Sequence, residues 1–282
     1  MDIAAPPSAP FSVALDEGIA HLRLTRPQAA NALGVAFWSA FAPAVAALDR
    51  PGTTRALVIS GEGKHFCSGM DVSVFSSGAM PGPDTPAGRE AFAASARALQ
   101  DAFGVLETVR FPVIAAIHGA CVGGGLELAA VCDLRFASDD AYFRIEEINI
   151  GMMADLGSLQ RLPKLLPAAV INELAYLGTT LTAARAQALG FVNAVAPTPD
   201  GALEAAFAAA ARVRGKAPLA IAATKRMLRY TRDHSVADSL AYVADLQAAL
   251  WSTPDVLGAI AARANGTQAT FAALAPRPEG TL

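Results

Sequence analysis

Four acids lie in three short, largely apolar stretches: Glu127 in "GGGLELAAV", Glu146 and Glu147 in "FRIEEINIG", and Asp155 in "GMMADLGSL". Removing a proton next to a carbonyl needs a positioned base, and returning it at another carbon needs a second acid or the same one moved. Apolar surroundings raise a carboxyl pKa, so one acid can stay protonated near neutrality while another acts as base. Taken singly, each acid also reads as a solvated surface charge, and Glu146 fits that reading best. Asp155, flanked by Met152, Met153, Ala154 and Leu156, either faces water from a loop or is held in an apolar pocket for proton transfer.

Two glycine-bearing turns can supply the other half of such chemistry. In "FPVIAAIHGACVGGGLELA" the run Gly123, Gly124, Gly125 lies between a strand pattern and a helix pattern. Without Cβ atoms a ligand can approach the main-chain amides closely, and the helix start adds partial positive charge. The same glycines would also serve tight helix–strand packing, and a dinucleotide fingerprint fails because Cys121 stands where glycine is required. The second turn, "GKHFCSGMD", follows the strand pattern "ALVIS" and can offer the Ser68 amide. Ser68 lacks the G-x-S-x-G frame of a hydrolase nucleophile. Two outward amides on neighbouring strand ends would together polarise a thioester carbonyl and stabilise the enolate left by loss of an α-proton.

The elements that must position these groups read as an α/β core. "FSVALDEGIAHLRLT" alternates apolar residues around Asp16, Glu17 and Gly18, the pattern of an opening hairpin. "RALVISG" and "FPVIAAIHG" are apolar runs suited to strands covered on both faces, and "DLRFAS" and "AYFRI" are further strand candidates. Helical patterns occupy "GVAFWSAFAPAVAALDR" and "GREAFAASARALQDAFGVLETV". Residues 76–88, "SSGAMPGPDTPAG", read as a surface loop, either a connector or a lid. The division predicted is a leader over 1–10, a catalytic core over 11–200, and a helical region over 201–282 made of alanine-rich amphipathic segments. There Ser235 and Asp238 suit a capped helix start and Pro254 a first-turn position.

Composition narrows the function classes. With 282 residues and a formal net charge of -3, the chain offers no basic field for nucleic acid, and small-molecule chemistry is the better expectation. Cys67, Cys121 and Cys132 have no zinc or redox spacing and read as buried thiols in a reducing compartment. His21, His65, His118 and His234 show no metal-ligand spacing, so no metal is expected. The apolar stretch from Pro112 to Cys132 raises a membrane question, but His118, Glu127 and its glycines favour a buried strand, a tight turn and a buried helix. The N-terminus carries an early acid and prolines and does not resemble a secretory signal, and the ending "EGTL" does not resemble a peroxisomal address, so the cytoplasm is the expected location.

Together these motifs resemble the crotonase family, the enoyl-CoA hydratase/isomerase superfamily, over residues 11–266. "LTRPQAANAL" is similar to its early CoA-contacting segment, "FCSGMD" to its first oxyanion turn, and "ACVGGGLELAAVCDLRFAS" to its second with the following helix. The resemblance implies a spiral of ββα repeats with a helical C-terminal region that builds trimers, often paired as hexamers. It implies an oxyanion hole from the amides of Ser68 and Gly124, and the hydratase glutamates at Glu127 and Glu147. It also implies CoA contacts from Arg26, Ala30, Ser68, Gly69, Met70 and Asp71, with coenzyme A as the carrier part of the substrate and no separate cofactor. Hydratases of the family usually have glycine where this chain has Asp155. The turn "GMMADLGSLQRLPK" and the later "RDHSV" resemble instead the Δ3,5-Δ2,4-dienoyl-CoA isomerases, whose additional aspartate corresponds to Asp155. Those isomerases commonly carry aspartate where this chain has Glu127. The activity implied is conversion of 3,5-dienoyl-CoA to 2,4-dienoyl-CoA; the alternatives are hydration of a 2-trans-enoyl-CoA and acyl-CoA binding without turnover.

Overall fold

The computed structural model describes residues 9–76, 78 and 80–278. Nearly all of the expected leader, residues 1–8, lies outside the described residues, as do residues 77 and 79 of the expected loop. Strands β1 (Phe11–Asp16) and β2 (Ile19–Leu24) pair antiparallel with Phe11 opposite Leu24. Their turn needs positive φ at both central residues, and Glu17 and Gly18 have φ of 44° and 82°. The chain continues through α1 (Val35–Asp49), β3 (Ala56–Gly61), the single turn α2 (Ser73–Ser76) and the long α3 (Pro86–Thr108). Next come β4 (Val113–Ile117), β5 (Ala120–Val122), α4 (Gly124–Val131), β6 (Leu134–Ser138) and β7 (Tyr142–Arg144). Short helices α5 (Ser158–Arg161) and α6 (Ala168–Leu177) precede β8 (Leu181–Thr182), α7 (Ala183–Ala188) and β9 (Ala194–Ala196). The described chain then runs through α8 (Pro199–Arg214), α9 (Pro218–Asp233), α10 (Val236–Leu250) and α11 (Thr253–Ala264).

The larger sheet has the order β1-β2-β3-β4-β6-β9 and the smaller one β5-β7-β8. Successive passes place one strand in each sheet and then a helix: β4, β5, α4, followed by β6, β7 and α5 with α6. This is the expected α/β spiral of ββα units. The stretch from Pro112 to Cys132 is accordingly two strands and a helix, and no described helix is long and apolar enough to cross a membrane. The short strand β5, hidden in a glycine-rich run, is an element that the periodicity did not reveal.

Both faces of the larger sheet are covered, as the unbroken apolar runs of β3 and β4 require. On one face Leu57 and Ile59 join the main core with Phe37, Phe41 and Phe103 of α1 and α3. On the other, Ala56, Val58, Ile114 and Ala116 pack against Ala206 and Ala210 of α8. Alanines let this helix lie close to the strands. The boundary expected at residue 200 therefore falls inside a helix that packs on the sheet core. Lys225 anchors α9 to that core, donating to the carbonyls of Leu106 and Phe111 at 2.7 and 3.0 Å and to the Asp133 carboxylate at 2.7 Å. Ser235 caps α10 through the Asp238 amide, and Pro254 sits in the first turn of α11. The expected loop also ends earlier than 88, because Thr85 accepts the Gly88 amide and caps α3, so residues 86–88 are its first turn.

Candidate active site

The glycine run is a strand-to-helix turn, as its composition requires. Gly123 has φ of 52° and donates its amide to the Arg144 carbonyl at 2.9 Å, and Gly124 opens α4. A Cβ on Gly123 would lie 3.2 Å from Glu147 Oε1, so the absent side chain is what lets that carboxylate rest on the turn. Gly69 has φ of 95°, and a Cβ there would come within 2.9 Å of the Val122 carbonyl and 3.2 Å of the Gly124 amide. The two glycine-bearing turns therefore pack backbone to backbone.

The Ser68 amide does not serve the role expected of it. It donates to the Ala30 carbonyl at 3.0 Å. Leu33 pairs with Met70 as a parallel bridge, through Leu33 N–H to the Gly69 carbonyl at 2.8 Å and Asp71 N–H to the Leu33 carbonyl at 3.1 Å. The amides of Ser68 and Asp71, three residues apart, both face the 30–33 segment because left-handed Gly69 interrupts the strand between them; beyond that break neighbouring amides alternate, so that of Met70 faces away from it. A Cβ built on Gly124 would lie 3.6 Å from the Met70 nitrogen. Among the described residues the Met70 amide has no acceptor, and Gly124, as the first residue of α4, has none within its helix.

The segment that captures Ser68 is held by a residue that the motif reading passed over. Asn31, 2 % exposed and left-handed at φ of 55°, donates to the carbonyls of Glu62 and His65 at 2.9 and 2.8 Å and accepts the Arg26 amide at 2.9 Å. Asparagine tolerates this conformation better than most residues, a signal present in "AANAL". Ala30 is left-handed as well, with φ of 47°. Arg26 Nη1 donates to the Ala32 carbonyl at 2.8 Å and to Asp71 at 3.0 Å. The Ser73 hydroxyl and amide, followed by Arg26, hold the Asp71 carboxyl below the usual carboxylate range. Arg26, Ala30, Ser68, Gly69, Met70 and Asp71 thus share one ledge beside the glycine turn.

The acids converge from three elements. Glu127, on the wholly buried α4, is 1 % exposed; its Oε1 accepts the amides of Leu156 and Ser158 at 3.1 and 3.3 Å, while its Oε2 is enclosed with no partner. Burial, and then the charge of Glu147, pushes its pKa up to about 8. Glu147 begins a 3-10 turn, Glu147–Ile150, closed by left-handed Gly151. Its pKa is raised by burial, its own amide works against that shift, the Asp155 charge adds to it, and its Oε2 is likewise enclosed without a partner. Asp155 is half-buried, and burial raises its pKa despite its own amide. Its charge acts on both Glu127 and Glu147. Glu146 stays at the edge of the cluster, ion-paired with Arg144.

The histidines have structural partners: His21 with Ser60, His65 with the Ala120 amide, His118 with the Gly63 carbonyl and His234 with the Tyr230 carbonyl. Cys67, Cys121 and Cys132 are free, buried thiols whose pKa values burial pushes up. No group of histidine, cysteine, aspartate and glutamate among the described residues could hold a metal ion.

A ββα spiral that brings shielded carboxylates to a pair of glycine-bearing amide turns is a scaffold for acid–base chemistry on a carbonyl compound. The sequence pattern of the enoyl-CoA hydratase/isomerase family matches residues 14–269, and the chain belongs to that family of enzymes, the crotonases. It is 37% identical over 247 residues to the mitochondrial Delta(3,5)-Delta(2,4)-dienoyl-CoA isomerase of Homo sapiens, covering 86% of this chain and 75% of the relative. To the peroxisomal enzyme of the same name from Arabidopsis thaliana it is 37% identical over 262 residues, 92% of this chain and 94% of the relative. Carnitinyl-CoA dehydratase of Salmonella arizonae is 35% identical over 226 residues, 80% and 82%. Among solved structures, an enoyl-CoA hydratase from Polaromonas sp. JS666 superposes with a TM-score of 0.84 at 28% identity, over 93% of this chain and 99% of that one.

Proposed function

We propose that this enzyme isomerises a 3,5-dienoyl-CoA to a 2,4-dienoyl-CoA. The observation that carries the reading is Asp155: a shielded carboxyl whose charge acts on Glu127 and Glu147, at a position where the family's hydratases usually have glycine. Similarity to the dienoyl-CoA isomerases supports it. Moving a proton from C2 to C6 spans several ångströms, beyond the reach of one fixed carboxylate, so two acids are required. In this scheme Glu147 removes the C2 proton and the electron pair spreads over the dienolate. The amides of Gly124 and Met70, the latter in place of Ser68, stabilise the thioester oxygen. Protonated Asp155 delivers hydrogen to C6. Glu127, fixed by the Leu156 and Ser158 amides, tunes its neighbours and does not meet the diene. Coenzyme A enters as the carrier part of the substrate, contacted by the ledge from Arg26 to Asp71, and no cofactor or metal is given a role.

A second reading, hydration of a 2-trans-enoyl-CoA, is favoured by the two enclosed oxygens without partners, Glu127 Oε2 and Glu147 Oε2, which together could hold a water. Turnover of 3,5-dienoyl-CoA and 2-trans-enoyl-CoA by the purified protein, measured side by side, decides between them. Faster diene conversion supports the isomerase, faster water addition the hydratase, and binding without turnover of either would leave an acyl-CoA-binding protein. Exposed Val236, Leu240, Trp251, Leu257 and Ile260 on and beside α10 and α11 support assembly through the helical region as a trimer or a pair of trimers. The free thiols support a reducing compartment, with the cytoplasm as our proposed location.

A further inference from the structure

Asp155 stands at a boundary. On its inner side, the amides of Leu156 and Ser158 bind Glu127, so the 155–158 turn closes the buried acid cluster. On the outer side of the same turn is a cavity of about 340 Å³, lined by Asp155 itself and by Gln100, Gln160, Arg161, Arg232 and Asp233. That volume holds several waters. Gln100, Gln160 and Asp233 are exposed, so the cavity's rim meets solvent. Its cations are already neutralised: Arg161 and Arg232 pair with Glu107 at 2.9 and 2.7 Å, and Arg232 reaches Asp233 at 3.6 Å. What remains is a polar wall of amide side chains and compensated charge, suited to hydrogen-bonded water and poorly suited to an apolar chain.

The three acids differ in their access to that water. Glu127 and Glu147 each have an oxygen sealed from solvent and without a partner, whereas neither oxygen of Asp155 is in that condition. Gln100 fixes the boundary by donating to the Asp155 backbone carbonyl at 2.7 Å, and the carboxyl group is held by its own amide.

We infer that Asp155 draws its proton from bulk water through this cavity, so the hydrogen delivered to C6 is solvent-derived and not the one removed from C2. The inference rests on the isomerase reading and adds the proton's route. The cycle balances without any co-reactant. The C2–H bond breaks and its proton goes to Glu147; the dienolate takes a proton from Asp155 as the C6–H bond forms. The Asp155 carboxylate then takes a proton from water in the cavity, and Glu147 releases its own to water once product has left. Gln160, at the rim, acts as a positioning residue for that water.

The test uses 3,5-dienoyl-CoA deuterated at C2 and turned over by the full-length enzyme in H₂O, with the position of label in the product read by NMR. Loss of the abstracted deuteron to solvent and unlabelled C6 are expected, and unlabelled substrate in D₂O gains a single deuteron at C6. A second arm fills the cavity with Gln160→Phe: kcat falls about tenfold with unchanged KM and a larger solvent isotope effect, and Gln160→Asn restores both. Deuterium carried from C2 to C6 overturns the inference alone. A Gln160→Phe enzyme with wild-type kcat and isotope effect does the same. Absence of any diene conversion overturns the isomerase reading together with it.

Discussion

Replacing Asp155 by asparagine is the substitution that bears hardest on the proposed chemistry. Asparagine matches the shape of aspartate, and the Gln100 contact survives because it is made to the backbone carbonyl. What is lost is the transferable proton. A positioned general acid contributes about a hundredfold to ten-thousandfold in rate, so kcat for diene isomerisation should fall about a thousandfold, ~4 kcal/mol of barrier. KM should hold, since the proton is delivered only in the transition state. Stability should not suffer. Burial raises the Asp155 pKa above its ordinary 3.8, so the folded state disfavours the charged form, and the carboxyl stabilises the fold most at pH below that value. That contribution is lost as pH rises through the raised pKa, and at neutral pH asparagine removes a penalty. The melting temperature is therefore expected to be unchanged or slightly higher. Losing the Asp155 charge should also lower the pKa of the Glu147 base, moving the acidic limb of the kcat/KM profile to lower pH. The assay is absorbance of the dienoyl thioester beside hydration of 2-trans-enoyl-CoA. A variant that still isomerises the diene at the wild-type rate, yet no longer hydrates, would refute the reasoning.

Other consequences can be checked alongside. Glu127 has its pKa raised from 4.5 to about 8, so the folded protein binds more protons than the unfolded chain between those values, and stability should decline as pH rises through that window; thermal melts of Glu127→Gln should show a flatter pH dependence. Gly69→Ala should cost about 1–2 kcal/mol for an L-residue at positive φ and reduce kcat about a hundredfold by separating the paired amides, read by denaturant melts and turnover; a wild-type rate would exclude the Met70 and Gly124 pair. Leu240→Glu, on the exposed face of α10, should reduce the solution mass by light scattering to that of a single chain, and an unchanged mass would remove this face from the assembly.

Much of the positioning machinery follows from local signals. The opening hairpin was legible because Glu17 and Gly18 sit between alternating apolar residues, and α10 because Ser235 precedes Asp238 at the spacing a cap requires. The glycine run could be placed at a strand-to-helix turn because only backbone without Cβ atoms accommodates such close approach. These are short-range consequences of sterics and hydrogen bonding, so neighbouring residues suffice to specify them.

Which amide faces the candidate oxyanion position is a different kind of fact. Ser68 and Met70 lie in the same motif, but the choice between them depends on pairing with Ala30 and Leu33, which are remote in sequence. The short strand β5, the attachment of α8 to the sheet and the placing of Gln100 beside Asp155 likewise depend on segments distant along the chain. The sequence by itself therefore determined the types of chemical group and the local turns that carry them. Only the tertiary structure decided their mutual orientation and their access to water, because strand pairing and burial are properties of residues brought together from separate parts of the chain.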